Sequence, residues 1–327
     1  MSISKVTKYV NHSTINNIMV TLDKIALSVP RDLISDWRHN PRVYNSKYTD
    51  LPYHLYIAYN ERFGGYKVEF SAKILGDRYP ELINCNNIRD CLNAINALGI
   101  CSLDVDGVIN MGKVIGADFA KDIRIEDIPN AGNMADVKSI IRLSINNYER
   151  FNCANYRGGG MIISNAVNDK RRSKRLTIYD KADELRMANN RPFISSLNNA
   201  YRLHDYFRGR VRFELRATTQ YQLRGWLGIR ELSLMNVLES TANPLRLVMS
   251  QMFNPIFAVD EREIKPTLTN LDKLNTLKLL DWDLARVESH VRESTTRSVR
   301  EGMRAYERLY LAHKVSQPIN IVEVVGD

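Results

Sequence analysis

The sequence predicts an α+β fold: a largely antiparallel sheet covered by helices, followed by a helical C-terminal region. Three observations predict it. Short runs of alternating apolar and polar residues recur between Met19 and Ala217. Several are separated by hairpin-like spacings, which favour antiparallel pairing. From Leu232 onward the alternation fades and helical spacing replaces it.

Met1–Asn17 is polar and reads as a flexible arm. Met19–Val29 alternates in part and is the first expected strand, ended by Pro30. Arg31–Arg38 reads as a short helix. Tyr53–Tyr59 and Tyr66–Ile74 are strands flanking the turn signal Phe63-Gly64-Gly65. Asn87 caps a helix whose Leu92, Ile95 and Leu98 share one side, with Gly99 as its stop. Leu103–Ile109 and Lys113–Ile125 read as strands. Ala135–Tyr148 is helical, with Val137, Ile140, Ile141, Ile145 and Tyr148 as its stripe. After the breaker Gly158-Gly159-Gly160 come a strand over Met161–Val167, a basic turn and a strand from Arg175. Helix over Ser195–Phe207, strand over Arg210–Ala217 and helix over Thr219–Leu227 complete the mixed part. Leu232–Leu238, Pro244–Phe253 and Thr267–Lys314 are expected helices, with Pro255 and Pro266 as joints. The expected organisation is an arm over 1–17, a main domain over 18–230 and a helical region over 231–327.

The bulk numbers narrow the class. The chain has 327 residues, 44% apolar and 25% charged, as in a soluble globular protein. No apolar run reaches the roughly 18 residues of a membrane span. Met1–Thr14 lacks the apolar core of a secretory signal, so bacterial cytoplasm is the expected location. The four cysteines lack zinc-site spacing and read as buried free thiols. A net charge of +9 and a pI near 9.3 suit a polyanionic partner. The run Lys170-Arg171-Arg172-Ser173-Lys174-Arg175 leads straight into a strand. It is either a solvated turn or a phosphate-backbone contact.

The chain is organised around that strand. Leu176, Ile178 and Asp180 face one way, Thr177 and Tyr179 the other, with Lys181 two residues on from the phenol. Tyrosine is an ordinary strand residue, but three other strands carry acids. Glu69 shares a face with Lys67 and Ser71; Asp118 and Asp122 share a face; Glu214 shares one with Arg212 and Arg216. Each acid alone reads as a solvated strand residue. Together they suit phosphodiester cleavage: carboxylates hold a hard divalent cation, which neutralises charge on the phosphate. A phenol of pKa about 10 then needs activation by metal, Lys181 or a carboxylate base.

The order of these strands resembles the Rep_trans family of rolling-circle replication initiators. These are nicking proteins of small Gram-positive plasmids, with filamentous-phage gene II proteins as functional relatives. The family pattern is R-I-E-F, a helix, R-L-D-L-A-x-D, then R-I-Y-N-K-x-x-E and R-V-E-I-E-L. Here it stands as Lys67-Val68-Glu69-Phe70, the helix Asn87–Leu98, Ala117-Asp118-Phe119-Ala120-Lys121-Asp122, Thr177-Ile178-Tyr179-Asp180-Lys181-Ala182-Asp183-Glu184, and Arg212-Phe213-Glu214-Leu215-Arg216. The match spans roughly Met19 to Trp226, and the shared order carries it rather than any single motif. Ala117 replaces the family's Arg, and Asp180 its Asn. The six isolated histidines exclude the paired-histidine motif of the wider nickase class, so the core resembles an HUH nickase without it.

The resemblance implies a catalytic domain over 18–230 that nicks a plasmid or phage origin through a 5′-phosphotyrosine. It implies Tyr179 as nucleophile with Lys181 beside it, and Mg²⁺ or Mn²⁺ on Glu69 and Asp118, with Asp122 as a further ligand. Glu214 falls in a family motif, and Tyr206 is a reserve nucleophile. Arg171, Arg172, Lys174, Arg175 and Arg212 are the expected DNA contacts. Origin DNA, single-stranded or hairpin, is the expected partner, with a host helicase and polymerase and a homodimer as further expectations. A relaxase or transposase of the same chemistry, or a non-catalytic DNA-binding regulator, are the other readings. In the tail, Arg286, Arg292, Arg297, Arg300, Arg304 and Arg308 interleave with Glu288, Glu293, Glu301 and Glu307. They form either a salt-bridged exposed helix or a DNA- or partner-binding face.

Overall fold

Strands of alternating residues bury one face and leave the other for polar groups. In the computed structural model, which describes residues 20–37, 43–147, 150–156, 159–165, 167, 169–257, 264–294, 299–314 and 318–326, nine of them form one sheet. In chain order these are β1 (Leu22–Pro30), β3 (Val43–Asn45), β4 (Leu55–Asn60), β5 (Gly65–Ser71), β7 (Lys113–Arg124), β8 (Phe151–Asn155), β9 (Met161–Asn165), β10 (Arg175–Asp180) and β11 (Arg210–Ala217). They lie in the order β3-β4-β5-β1-β7-β11-β10-β9-β8, and every pairing is antiparallel. The fold is α+β, as expected. The short β2 (Ile34–Ser35) and β6 (Ser102–Leu103) pair separately.

The apolar face carries Ile25, Leu27, Val68, Phe70, Phe119, Phe213, Leu215, Leu176 and Ile178, all buried. Helices α7 (Gln220–Leu227), α8 (Leu234–Leu238) and α9 (Pro244–Met249) cover it along β7, with Trp226 packing its ring on Phe119. Thr219 caps α7 with a full capping box through Gln222. The opposite face is roofed by a 3-10 segment over Ala72–Glu81 and by α4 (Lys181–Arg186), α5 (Arg191–Ser195) and α6 (Ala200–Phe207). The Phe63-Gly64-Gly65 turn joins β4 to β5, with Gly64 in the left-handed conformation at φ 62°.

Several expected elements differ, each for a local reason. Leu103–Ile109 is not a strand beyond Leu103: Asp104 accepts from the Gly107 N–H and starts α2 (Val105–Met111). Arg31–Arg38 gives only a 3-10 turn over Arg31–Leu33 before β2, and Arg38 lies outside the described residues. Asn87 stands at the start of α1 (Ile88–Ala97), but its amide turns back to Asn84 N and Leu82 O. The helix expected over Ser195–Phe207 begins only at Ala200, capped by Asn199, and Ser195 is the last residue of α5. Helix α3 (Met134–Ser144) buries Val137, Ile140 and Ile141 as expected, and ends before Ile145; Tyr148 lies outside the described residues.

The boundary near residue 230 does not divide the cores. Leu232, Leu234, Val237, Leu245, Val248, Met252 and Ile256 belong to the main core, and α13 (Ile321–Gly326) returns to it with Ile321 and Val325. A smaller core of Leu277, Leu284, Val287, Val291, Met303 and Tyr310 joins α10 (Leu268–Leu279), α11 (Leu284–Ser294) and α12 (Val299–Lys314). Arg286 and Arg292 pair with Asp281 and Glu288, the salt-bridged arrangement. The arm over 1–17 lies outside the described residues, as does Arg297. Among the described residues no helix is long and apolar enough to cross a membrane.

Candidate active site

The polar face of the sheet is charged and largely shut off from water. Cross-strand register lines it up: Tyr179 lies opposite Arg212, Arg212 opposite Asp122, and Arg216 opposite Asp118. Lys24 lies opposite Asp118 and Ala26 opposite Glu69. Between Leu22 and Lys24 the β1–β7 register shifts. Such a bulge puts an extra residue on one strand, and here Asp23 and Lys24 both reach the charged side.

Arg212 is the centre of a buried network. Its Nε and Nη2 donate to the two Asp122 oxygens, each at 2.7 Å, and its Nη1 donates to Asp23 Oδ1 at 2.5 Å. Nη1 also donates to Tyr79 Oη, which donates in turn to Asp23 Oδ1, each at 2.7 Å. The Tyr79 and Phe207 rings lie against the guanidinium. Burial alone would raise the Asp23 carboxyl, but Arg212 and then Lys181 bring it down to about 2. Two expectations are corrected here. Arg212 is 0% exposed and cannot touch a phosphate from solvent. Asp122 is given over to the buried ion pair: both of its oxygens accept from Arg212, and 2% of its side chain is exposed.

Tyr179 sits one strand over. Its hydroxyl donates to Glu214 Oε2 at 2.9 Å, and Lys181 Nζ donates to the phenol oxygen at 3.4 Å. Lys181 is not on the strand: Asp180 caps α4, and Lys181 is its first residue. It nonetheless reaches the phenol, held at 2.7 Å by Glu184 and lying over both the Tyr79 and Tyr179 rings. Burial, followed by the Asp23 and Asp118 charges, pushes the Glu214 carboxyl up to about 7. Burial and the Glu214 carboxylate push the Tyr179 phenol well above its ordinary value. The resting arrangement is therefore a protonated phenol donating to a carboxylate that titrates near neutrality. Gly160 makes room for it. A Cβ there would stand 2.7 Å from both Tyr179 Cβ and Ile178 O. Gly160→Ala is expected to cost about 1–3 kcal/mol by forcing the strands apart, read as a lower midpoint in urea unfolding.

On the same face of the sheet lies a cleft of about 260 Å³, lined by Lys24, Lys67, Glu69, Asp118, Arg216 and Thr218 among others, but not by Tyr179 or Glu214. Glu69 Oε1 accepts from Lys24 at 3.1 Å and lies 2.9 Å from His54 Nε2, while Oε2 pairs with Lys67 at 2.5 Å. Burial opposes the charge on Glu69, but His54, Lys67 and Lys24 outweigh it and hold the carboxyl well below its usual range. Asp118 is less well served. It has only two loose ion pairs, to Lys24 and Arg216, each at 3.7 Å, and burial raises its carboxyl above the ordinary value.

The donor set bears on the expected metal. Among the described residues no cluster of three or more His, Cys, Asp or Glu is arranged around an ion. Yet Mg²⁺ commonly uses only one or two carboxylates and takes its other ligands from water and substrate phosphate. Asp118 offers such a carboxylate, whereas both Glu69 oxygens are already held by Lys24, His54 and Lys67, with the Lys24 ammonium standing as a cation between the two acids.

The remaining expected residues are spread out. Arg171 and Arg172 are exposed on the turn before β10 and Arg175 is exposed as its first residue, with Arg171 forked onto Asp169. The Lys174 ammonium turns to Gln251. Tyr206 on α6 lines a different cavity, with Lys121 and Asp122. Sequence reasoning missed Asp23, Lys24, His54 and Tyr79. Asp23 and Lys24 are adjacent charges inside a predicted strand, which was a usable signal. Compared with models of known families, with curated proteins and with solved structures, the chain matches none.

Proposed function

We propose that the chain is a DNA-nicking enzyme that initiates rolling-circle replication of a plasmid or phage through a covalent phosphotyrosine at Tyr179. The observation that carries this reading is the Tyr179–Glu214 hydrogen bond of 2.9 Å, with Glu214 titrating at about 7 on the same face of the sheet as a mixed-charge cleft. A base with that pKa accepts the phenol proton at neutral pH. Lys181, at 3.4 Å, stabilises the phenolate as it forms. The oxygen attacks phosphorus, the bond to the 3′-oxygen breaks, and that oxygen leaves as a 3′-hydroxyl after taking a proton from solvent. Lys24, Lys67 and Arg216 line the cleft and draw in the phosphate. Asp118, joined by Glu69 where its ion pairs give way, would hold a Mg²⁺ or Mn²⁺ ion, which supplies charge neutralisation on the phosphate oxygens. Tyr179 is 4% exposed, with the Tyr156 ring 5.6 Å away and the Lys181 ammonium over its own ring, so the reaction requires local opening around the phenol.

That same burial favours a second reading, in which the charged face only holds the sheet together and the chain is a non-catalytic DNA-binding regulator. A covalent-adduct assay separates the two. Protein is mixed with single-stranded origin DNA, with Mn²⁺ or with chelator, and resolved on a denaturing gel. An Mn²⁺-dependent slower band, mapped by mass spectrometry to Tyr179, is the expected result. An adduct on Tyr206 would keep the function and move the site; no adduct on any cognate DNA would leave the regulator. A relaxase or transposase would differ in which DNA it nicks.

Acid should slow the reaction. Below about pH 7 Glu214 is protonated and cannot take the phenol proton, so the single-turnover rate should fall about tenfold per pH unit. Glu214→Gln should remove that slope and lower the rate by about 10²–10⁴-fold. A Gln variant with the wild-type pH profile would exclude Glu214 as the base.

A further inference from the structure

We propose that a single-stranded nucleic acid lies across the basic turn and the start of α7, with Tyr221 as a base-stacking platform and Arg175 and Arg216 guiding its backbone into the cleft. Only the direction of the track rests on the nicking reading; the binding surface stands without it. Tyr221 is 62% exposed, although a tyrosine ring normally gains by burial. It belongs to the basic turn in space as well as by charge. Gln222, the next residue, is buried and donates to Ser173 O at 2.6 Å, fastening α7 to the turn. The Tyr221 hydroxyl is near enough to act electrostatically on Arg171.

A second observation points to an anion. The paired residues of β10 and β11 end at Leu176 and Leu215, and Arg175 and Arg216 are the next residues of the two strands beyond that last pair. Both belong to the charged face, since they share parity with Tyr179 and Glu214. Like charges that stand close on neighbouring strands repel. Among the described residues Arg216 has the loose Asp118 ion pair at 3.7 Å, and it keeps 46% of its side chain exposed. A phosphate between the two guanidinium groups relieves that repulsion. Arg216 and Thr218 line the cleft, and Thr218 N donates to Gln222 Oε1 at 2.8 Å, so the start of α7 is tied both to the end of β11 that borders the cleft and to the basic turn. Exposed aromatic and basic groups along one track are what an unpaired strand recognises, because every base offers a flat face and every nucleotide a phosphate. In a duplex the bases are already stacked on each other and gain nothing from Tyr221.

The test is fluorescence anisotropy with labelled oligo-dT and with a duplex of equal length. Tyr221→Ala should weaken oligo-dT binding by roughly 5- to 100-fold and leave duplex binding unchanged. Tyr221→Phe keeps the ring and should bind as the wild type. Tyr48→Ala removes an exposed tyrosine far along the sheet order, beside β3, and should have no effect. Arg175→Gln with Arg216→Gln should reduce the salt slope of log K by about 1.4, at about 0.7 per phosphate contact. No oligo-dT binding by the wild type, an unchanged Tyr221→Ala affinity, or an equal loss for duplex would each overturn the proposal. Absence of any covalent adduct with the Tyr221 effect intact would overturn the nicking reading alone.

Discussion

Tyr179→Phe is expected to abolish the covalent DNA adduct, lowering single-turnover nicking by at least about 10⁴-fold. The substitution removes one oxygen and leaves the ring against Tyr156 and under Lys181. Its structural cost is the lost hydrogen bond to Glu214, about 1–3 kcal/mol for a buried group left without its donor. That cost is small against the chemical effect, so the variant should fold and bind DNA nearly as the wild type does. Tyr79→Phe is the matched control. It also deletes a buried hydroxyl, the one shared by Arg212 and Asp23, and should lower stability while keeping the adduct. An adduct formed by Tyr179→Phe would show that another residue attacks. An adduct lost equally in both variants would show that the effect is structural.

Arg212→Met should destabilise the protein by about 3–5 kcal/mol, because it leaves Asp23 and Asp122 as uncompensated buried charges. For a domain of this size that is a fall in Tm of roughly 10 °C. Adding Asp122→Asn to Arg212→Met should recover a substantial part of the loss, since the amide removes one orphaned charge. The sequence placed Arg212 among the DNA contacts, and that role predicts the opposite pattern: unchanged Tm and weakened DNA binding. Thermal unfolding of the single and double variants, followed by circular dichroism, decides between them. A single variant as stable as wild type would mean that the ion pairs contribute nothing to the fold.

These two residues show how far the sequence reaches. Alternation identified β5, β7, β10 and β11 and put Glu69, Asp118, Tyr179 and Glu214 each on the correct strand, because side-chain parity along a strand is a local property. The Phe63-Gly64-Gly65 turn and the helix beginning at Thr219 were equally legible, since turn and helix signals span only a few residues. Parity also set Arg212 and Glu214 on one face, but not what stood opposite them.

That depended on register between distant segments. Asp122 and Arg212 are 90 residues apart in the chain, and Asp23 and Arg212 are 189 apart. Nothing local distinguishes a strand arginine that faces DNA from one that closes on two carboxylates. The β1 bulge, which turns both Asp23 and Lys24 to the charged face, likewise appears only when β1 is laid against β7. The Leu103–Ile109 run shows the limit from the other side: its strand-like alternation lost to the Asp104 cap and to the burial of Val108 on a helix. The sequence by itself determined the α+β class, the central acid-bearing strands and the phenol that faces away from the core. The assembled sheet settled which carboxylate accepts the phenol hydrogen bond, which arginine is sealed inside and which acids are held in ion pairs. Those outcomes follow from cross-strand register and burial, and both are properties of the assembled sheet.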